Sequence, residues 1–89
     1  MNKNERKQEL ESRINQALNP TKLEIIDESH KHVGHAGAAG GASHFFVSIA
    51  ADELNNLSHV QQHRKIYQAV GDMIPEEIHA LRIEVIQQS

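Results

Sequence analysis

Four of the seven histidines in this 89-residue chain fall between His30 and His44, three of them in the hexapeptide His30-Lys31-His32-Val33-Gly34-His35. Neutral imidazole is the commonest metal ligand in proteins, and glycines let a loop close around an ion. The spacing matches no closed zinc site, because the chain has no cysteine and no helical H-x3-H pair lies beside the cluster. Two readings stay open: a metal-ligating loop, or solvated polar residues in a mobile one. His63, in VQQHRKIYQAV, poses the same choice. By helical angle it falls near the centre of an apolar face with Ile66, Tyr67 and Val70, which makes it a core histidine satisfied by one hydrogen bond. Its place in the first turns of a helix, beside a polar connection, can instead leave it half exposed at a groove. His44 and His79 stand where strands begin and read as structural.

No other constellation offers chemistry. The carboxylate pairs Asp27-Glu28, Asp52-Glu53 and Glu76-Glu77 read as strand-end, loop and helix-start charges. There is no Ser/His/Asp spacing, no P-loop, and no G-x-G-x-x-G ahead of a helix. A domain of this length rarely walls a catalytic pocket alone, so a binding or adaptor module is expected and an enzyme is not.

The elements that position these residues follow from periodicity. Residues 3–18 read as a helix, with Leu10, Ile14, Ala17 and Leu18 at helical spacing and Asn19-Pro20 as the stop. Lys22–Ser29 alternates as a strand, with Leu23, Ile25 and Asp27 on one face. Residues 30–42 hold four of the five glycines and read as a long flexible loop, of the kind that is usually functional or disordered. Ser43–Ala50 is a second strand, with Phe45, Val47 and Ile49 inward. Ser58 caps a helix from about His59 to Ile74 whose apolar face holds Val60, Ile66, Tyr67, Val70, Met73 and Ile74. Pro75 ends that helix and can open a short turn, PEEIHA. Ala80–Gln87 closes the chain as a strand, with Leu81, Ile83 and Val85 on one face. The expected fold is α+β, in the order α-β-β-α-(α)-β, with a three-stranded mixed sheet covered by helices on one face. One domain spans 1–89.

Composition bounds the function classes. Net charge is −3, and the nine Lys and Arg residues are scattered rather than blocked, which argues against a dedicated nucleic-acid binder. The charged N-terminus and the lack of any apolar run near the ~20 residues of a membrane helix point to the cytoplasm. The isolated chain is expected to be a monomer.

DESHKH after the first strand, SHFFV opening the second, HRKIY on the second helix and EEIHALRIEV into the last strand together resemble the BolA family, over essentially the whole chain. The resemblance implies a fold similar to the class II KH domain. It also implies partnership with a monothiol, CGFS-type glutaredoxin, the two proteins sharing a [2Fe–2S] cluster bound with glutathione supplied through the partner. The isolated chain would bind no cofactor. The family's hallmark histidine on the second helix falls on His63. Its second ligand, from the loop between the first two strands, falls on His32, with His35 as competitor. Two histidines on one iron are an established alternative to cysteines, and they would raise the reduction potential. Gln62 stands where the family often has arginine. The family is also described as DNA-binding regulators or stress morphogens with a helix-turn-helix-like segment. That alternative would use Arg64 and Lys65 on the second helix and the following turn.

Overall fold

The computed structural model describes residues 2–28 and 43–87. The expected loop at 30–42, with His30, His32 and His35, lies outside the described residues.

Helix α1 (Lys3–Leu18) starts at a capping box: Glu5 N–H donates to Asn2 Oδ1, and Glu5 Oε1 accepts from Asn2 N–H. It buries Leu10, Ile14 and Leu18, while Ala17 is exposed, which narrows the expected stripe. Asn19 ends the helix in the left-handed region, its N–H donating to Asn15 O. Strand β1 (Lys22–Asp27) pairs antiparallel with β2 (Ser43–Ala50), with Ile25 opposite Val47 and Leu23 opposite Ile49. After a 3-10 turn at Asp52–Leu54 and an exposed Ser58 cap comes helix α2 (His59–Val70). Strand β3 (Ile78–Val85) then lies parallel to β2, giving the sheet order β1-β2-β3.

The mixed three-stranded sheet is as the sequence implies, and both helices cover one face of it. Phe45, Val47 and Ile49 of the central strand pack with Ile25, with Leu10, Ile14 and Leu18 of α1, and with Ile66 and Val70 of α2 in one apolar cluster. Alternation explains this face: residues of one parity along each strand share a side, and the register aligns them across all three strands. No helix among the described residues is long and apolar enough to cross a membrane.

Three features depart from the sequence reading. The second helix stops at Val70, short of Ile74, because Gly71 adopts φ 61° and opens a 3-10 turn over Gly71–Met73. PEEIHA forms no helix: residues 74–77 turn, closed by Glu77 N–H to Met73 O at 2.9 Å, and the chain is already extended at Ile78. Strand β3 accordingly runs from Ile78 to Val85 rather than from Ala80 to Gln87. Ile78 is wholly buried, and burying it against the core outweighs the helix-start signal of Pro-Glu-Glu. Finally, the inward stripe of α2 is Gln62, Ile66 and Val70. Val60 and Tyr67, placed on the apolar face by periodicity, are 65% and 39% exposed.

Arg13 joins the helices. Its guanidinium donates to Val70 O at 2.6 Å, Asp72 Oδ1 at 2.9 Å and Glu9 Oε2 at 2.8 Å, so α1 supplies a partner for the last carbonyl of α2, beside the Gly71 cap whose N–H donates to Tyr67 O. A Cβ on Gly71 would lie 3.3 Å from Arg13 Nη1 and would sit on a backbone that L residues rarely adopt. Gly71→Ala is therefore expected to cost about 1–3 kcal/mol of stability. A lowered denaturant midpoint at unchanged slope would show it, and an unchanged midpoint would refute it.

Candidate functional site

The two described ends of the segment that carries the loop histidines are each tied down by an arginine from a distant element. Glu28, just past β1, is nearly buried and continues the ladder by donating its N–H to His44 O at 2.7 Å. Its carboxylate accepts from both Arg82 Nε (3.0 Å) and Arg82 Nη2 (2.8 Å) on β3. The same guanidinium lies 4.1 Å from the centroid of the Phe46 ring. This two-point pairing fixes a planar orientation that a lysine could not, and it satisfies a carboxylate held almost out of water.

At the other end, Ser43 is buried and its N–H donates to Glu77 O at 3.2 Å. Its Oγ accepts from Arg6 Nη1 at 3.2 Å, while Arg6 Nε bonds Glu77 Oε2 at 2.8 Å. The Arg6 guanidinium thereby holds the Glu77 carboxyl below its ordinary value of 4.5.

Between these ties stands a histidine pair. Ser43 is opposite Ile78 and His44 is opposite Ala80, so His79 is an extra residue in β3, a bulge in the parallel ladder. Bulges commonly re-aim a side chain at the end of a sheet. Here His79 is exposed, with its ring centroid 5.0 Å from that of His44. A cleft of about 140 Å³ adjoins the pair, lined by Glu28, His44, Phe45, Ala80, Leu81 and Arg82.

His63 has a different setting. It is exposed, so it is not the core histidine its helical angle suggested; the buried position one residue earlier belongs to Gln62. Gln62 Nε2 donates to Leu54 O at 2.9 Å, which explains how an amide replaces an apolar residue on that stripe. That bond ties the first turn of α2 to the connection beyond Ala50, whereas the histidine-bearing segment joins β2 at Ser43. The two ends of β2 are about 23 Å apart by the rise of an extended strand. Ser43, the described end of the histidine-bearing segment, thus lies beside the start of β3 and its His79, whereas His63 stands toward the other end of β2. The sequence reading of His79 as a structural residue at a strand start did not include the bulge, which depends on register between β2 and β3.

Arg64 and Lys65 are exposed beside a shallow groove of about 210 Å³ lined by Leu57, Gln61, Arg64, Lys65 and Gln68. Among the described residues no three His, Cys, Asp or Glu side chains converge as a metal site would require.

Comparison with known proteins is consistent with this architecture. The family profile described as BolA-like protein matches residues 14–89. The chain is 37% identical over 79 residues to SufE-like protein 1, chloroplastic/mitochondrial, of Arabidopsis thaliana, covering 83% of this chain and 21% of that protein. It is 33% identical over 75 residues to BolA-like protein 1 of Mus musculus, covering 84% and 53%. It is also 33% identical over 76 residues to the DNA-binding transcriptional regulator BolA of Haemophilus influenzae, covering 85% and 71%. The chain therefore spans a fifth of the plant protein's length and about half of the mouse protein's. Among solved structures, the BolA domain of SufE1 from Arabidopsis thaliana superposes with a TM-score of 0.79 at 31% identity, covering 90% of this chain and 88% of that one.

The lowered Glu77 carboxyl has a measurable consequence. Below its ordinary value the unfolded chain takes up a proton that the folded protein does not, so this group's stabilisation is present above that value and lost as pH falls through the folded one. Glu77→Gln should be less stable than wild type near neutrality, with the gap closing under acid. Denaturant midpoints between neutral pH and pH 3 would show it, and a gap that stays constant would disprove it.

Proposed function

The chain belongs to the BolA-like family, and from that membership we propose that it is a non-enzymatic partner of a monothiol glutaredoxin, completing a shared [2Fe–2S] centre. The observation that carries this reading is the bulge that turns His79 outward beside the anchored ends of the histidine-bearing segment. The donor chemistry fits half a site. The chain contains no cysteine, so thiolates must come from the partner and from glutathione held by it. Imidazoles suit the remaining positions, since two histidines can replace two cysteines on one iron.

In this reading His79 and one loop histidine, His32 or His35, hold the cluster. His63, which the resemblance suggests, is the rival to His79. When bound, the cluster would supply one-electron chemistry or iron and sulfide for transfer. The chain's own residues orient it. Arg82 and Arg6 tie the two ends of the histidine-bearing segment, and His44 lies against His79.

The relatives named as DNA-binding regulators motivate a second reading, supported by one observation: α2 carries no carboxylate and exposes Arg64 and Lys65. Two phosphate contacts give only a shallow salt dependence, with a log–log slope near −2. The segment after α2 is a turn leading into a strand and carries Glu76 and Glu77, so it is no second helix of a helix-turn-helix. Duplex binding at near-physiological salt is expected to be weak and indifferent to sequence; tight, promoter-selective binding would favour the regulator.

The cluster reading is tested by mixing the apo-chain with cluster-loaded glutaredoxin and recording visible absorption and circular dichroism. Wild type should shift the spectrum, His79→Ala should abolish the shift, and His63→Ala should leave it intact. His32→Ala should disturb it more than His30→Ala does. No shift with wild type would overturn the function. A shift lost in His63→Ala but kept in His79→Ala would return the ligand to α2.

A further inference from the structure

Strand β3 forms an edge of the sheet, and the ladder inside it dictates what its outer side offers. Ile86 donates its N–H to Ile49 O at 2.7 Å. In a parallel pair a residue's N–H and C=O point to the same side, and successive residues alternate sides. Arg82 and Glu84 therefore spend their backbone groups on β2, while Leu81, Ile83 and Val85 present theirs outward. The side chains of these three are half-buried on the helix-covered face. Arg82 and Glu84 stand exposed on the open face, and beyond them Ile86 is 38% exposed. Natural edge strands are commonly blunted by charged side chains, proline or a bulge. Between Leu81 and Val85 there is no proline, the bulge lies earlier, at His79, and the two charges present, Arg82 and Glu84, are of opposite sign.

We propose that β3 is a self-association edge, pairing antiparallel with β3 of a second copy about a twofold axis through Ile83. The outward-facing residues then make the hydrogen-bonded pairs, Ile83 with Ile83 and Leu81 with Val85, each apolar against apolar. Arg82 of one copy falls opposite Glu84 of the other, twice by symmetry. These are non-hydrogen-bonded positions, where cross-strand side chains approach most closely. On the same open face Ala80 falls opposite Ile86 and covers it. Glu28 occupies Nε and Nη2 of Arg82, and a guanidinium with five N–H donors can serve a second carboxylate.

Charge selects this register over its neighbours. Sliding one strand by two residues in one direction puts Arg82 opposite Arg82; sliding it the other way puts Glu84 opposite Glu84. A slide by one residue mismatches the two faces of the sheet. The second copy is thus favoured by charge complementarity that only its own sequence supplies, in place of the monomer expected of so small a domain. His79 lies outside the stretch from Leu81 to Val85, so this edge does not depend on the cluster reading.

Sedimentation velocity over a range of concentrations tests it, with circular dichroism as the check on folding. Wild type should associate to a dimer. Glu84→Lys and Arg82→Glu should each dissociate about tenfold more readily, because two cross-strand pairs become repulsive. An equimolar mixture of the two should regain wild-type association, since every pair is again of opposite charge. Arg82→Glu also loses its contact to Glu28, so Ile83→Pro provides a second route. It removes only an outward N–H, which an edge strand tolerates, and should abolish the dimer. A wild type that stays monomeric overturns the proposal and leaves the edge to an extended segment of another protein. A dimer that survives Ile83→Pro, or a mixture no tighter than its components, overturns the register.

Discussion

Two parallel neighbouring strands cannot be joined by a tight turn, and the rest of this domain is arranged around that constraint. The chain leaves β2 at Ala50 and must return along the length of the sheet before β3 can start beside Ser43. The crossover between them contains α2, whose stripe of Gln62, Ile66 and Val70 is buried against the sheet. The same return path brings the beginning of β3 next to the beginning of β2. His79 therefore arrives beside His44, although thirty-five residues separate them. What looks like local histidine chemistry is a product of strand order.

A core built from so few large side chains leaves much of the positioning to three arginines. Arg6, Arg13 and Arg82 each reach across more than thirty residues of sequence to hold a carboxylate or carbonyl. These pairs are not equivalent. Arg13 with Asp72 is solvated and contributes little through charge; its worth lies in the carbonyl it caps. Glu28 is nearly buried, so losing Arg82 would remove a two-point partner from a carboxylate held away from water, a larger penalty. The sheet sets where the strands go, and the arginines set how the chain enters and leaves it.

Much of this was legible beforehand, and the exceptions have physical causes. Helix α1 and the inward residues of β2 follow from clean periodicity, because Leu10, Ile14 and Leu18, and then Phe45, Val47 and Ile49, have no polar residue competing for their face. Helix α2 misled because the first position of its buried stripe is an amide. Gln62 is admitted to the interior by one carbonyl, Leu54 O, whose presence depends on how the preceding connection folds. A pattern of apolar residues assigns that angle to its neighbours and so draws His63 inward. Pro75-Glu76-Glu77 carries a genuine helix-start signal, and the pull of Ile78 into the core overrides it. The bulge at His79 is a matter of register between strands far apart in sequence. No local pattern announces it.

The cap that Arg13 places on α2 bears on how the chain folds. A helix of twelve residues is marginal by itself in water, and the last turn of this one is completed by a side chain from α1, 57 residues away. The last carbonyl of α2 therefore gains this partner only when α1 is docked. Contacts of such long span slow the search for the native state, yet they bind its parts into one cooperative unit. Fraying the final turn of α2 thus breaks a bond to α1 as well as its own, which couples the opening of one helix to the docking of the other.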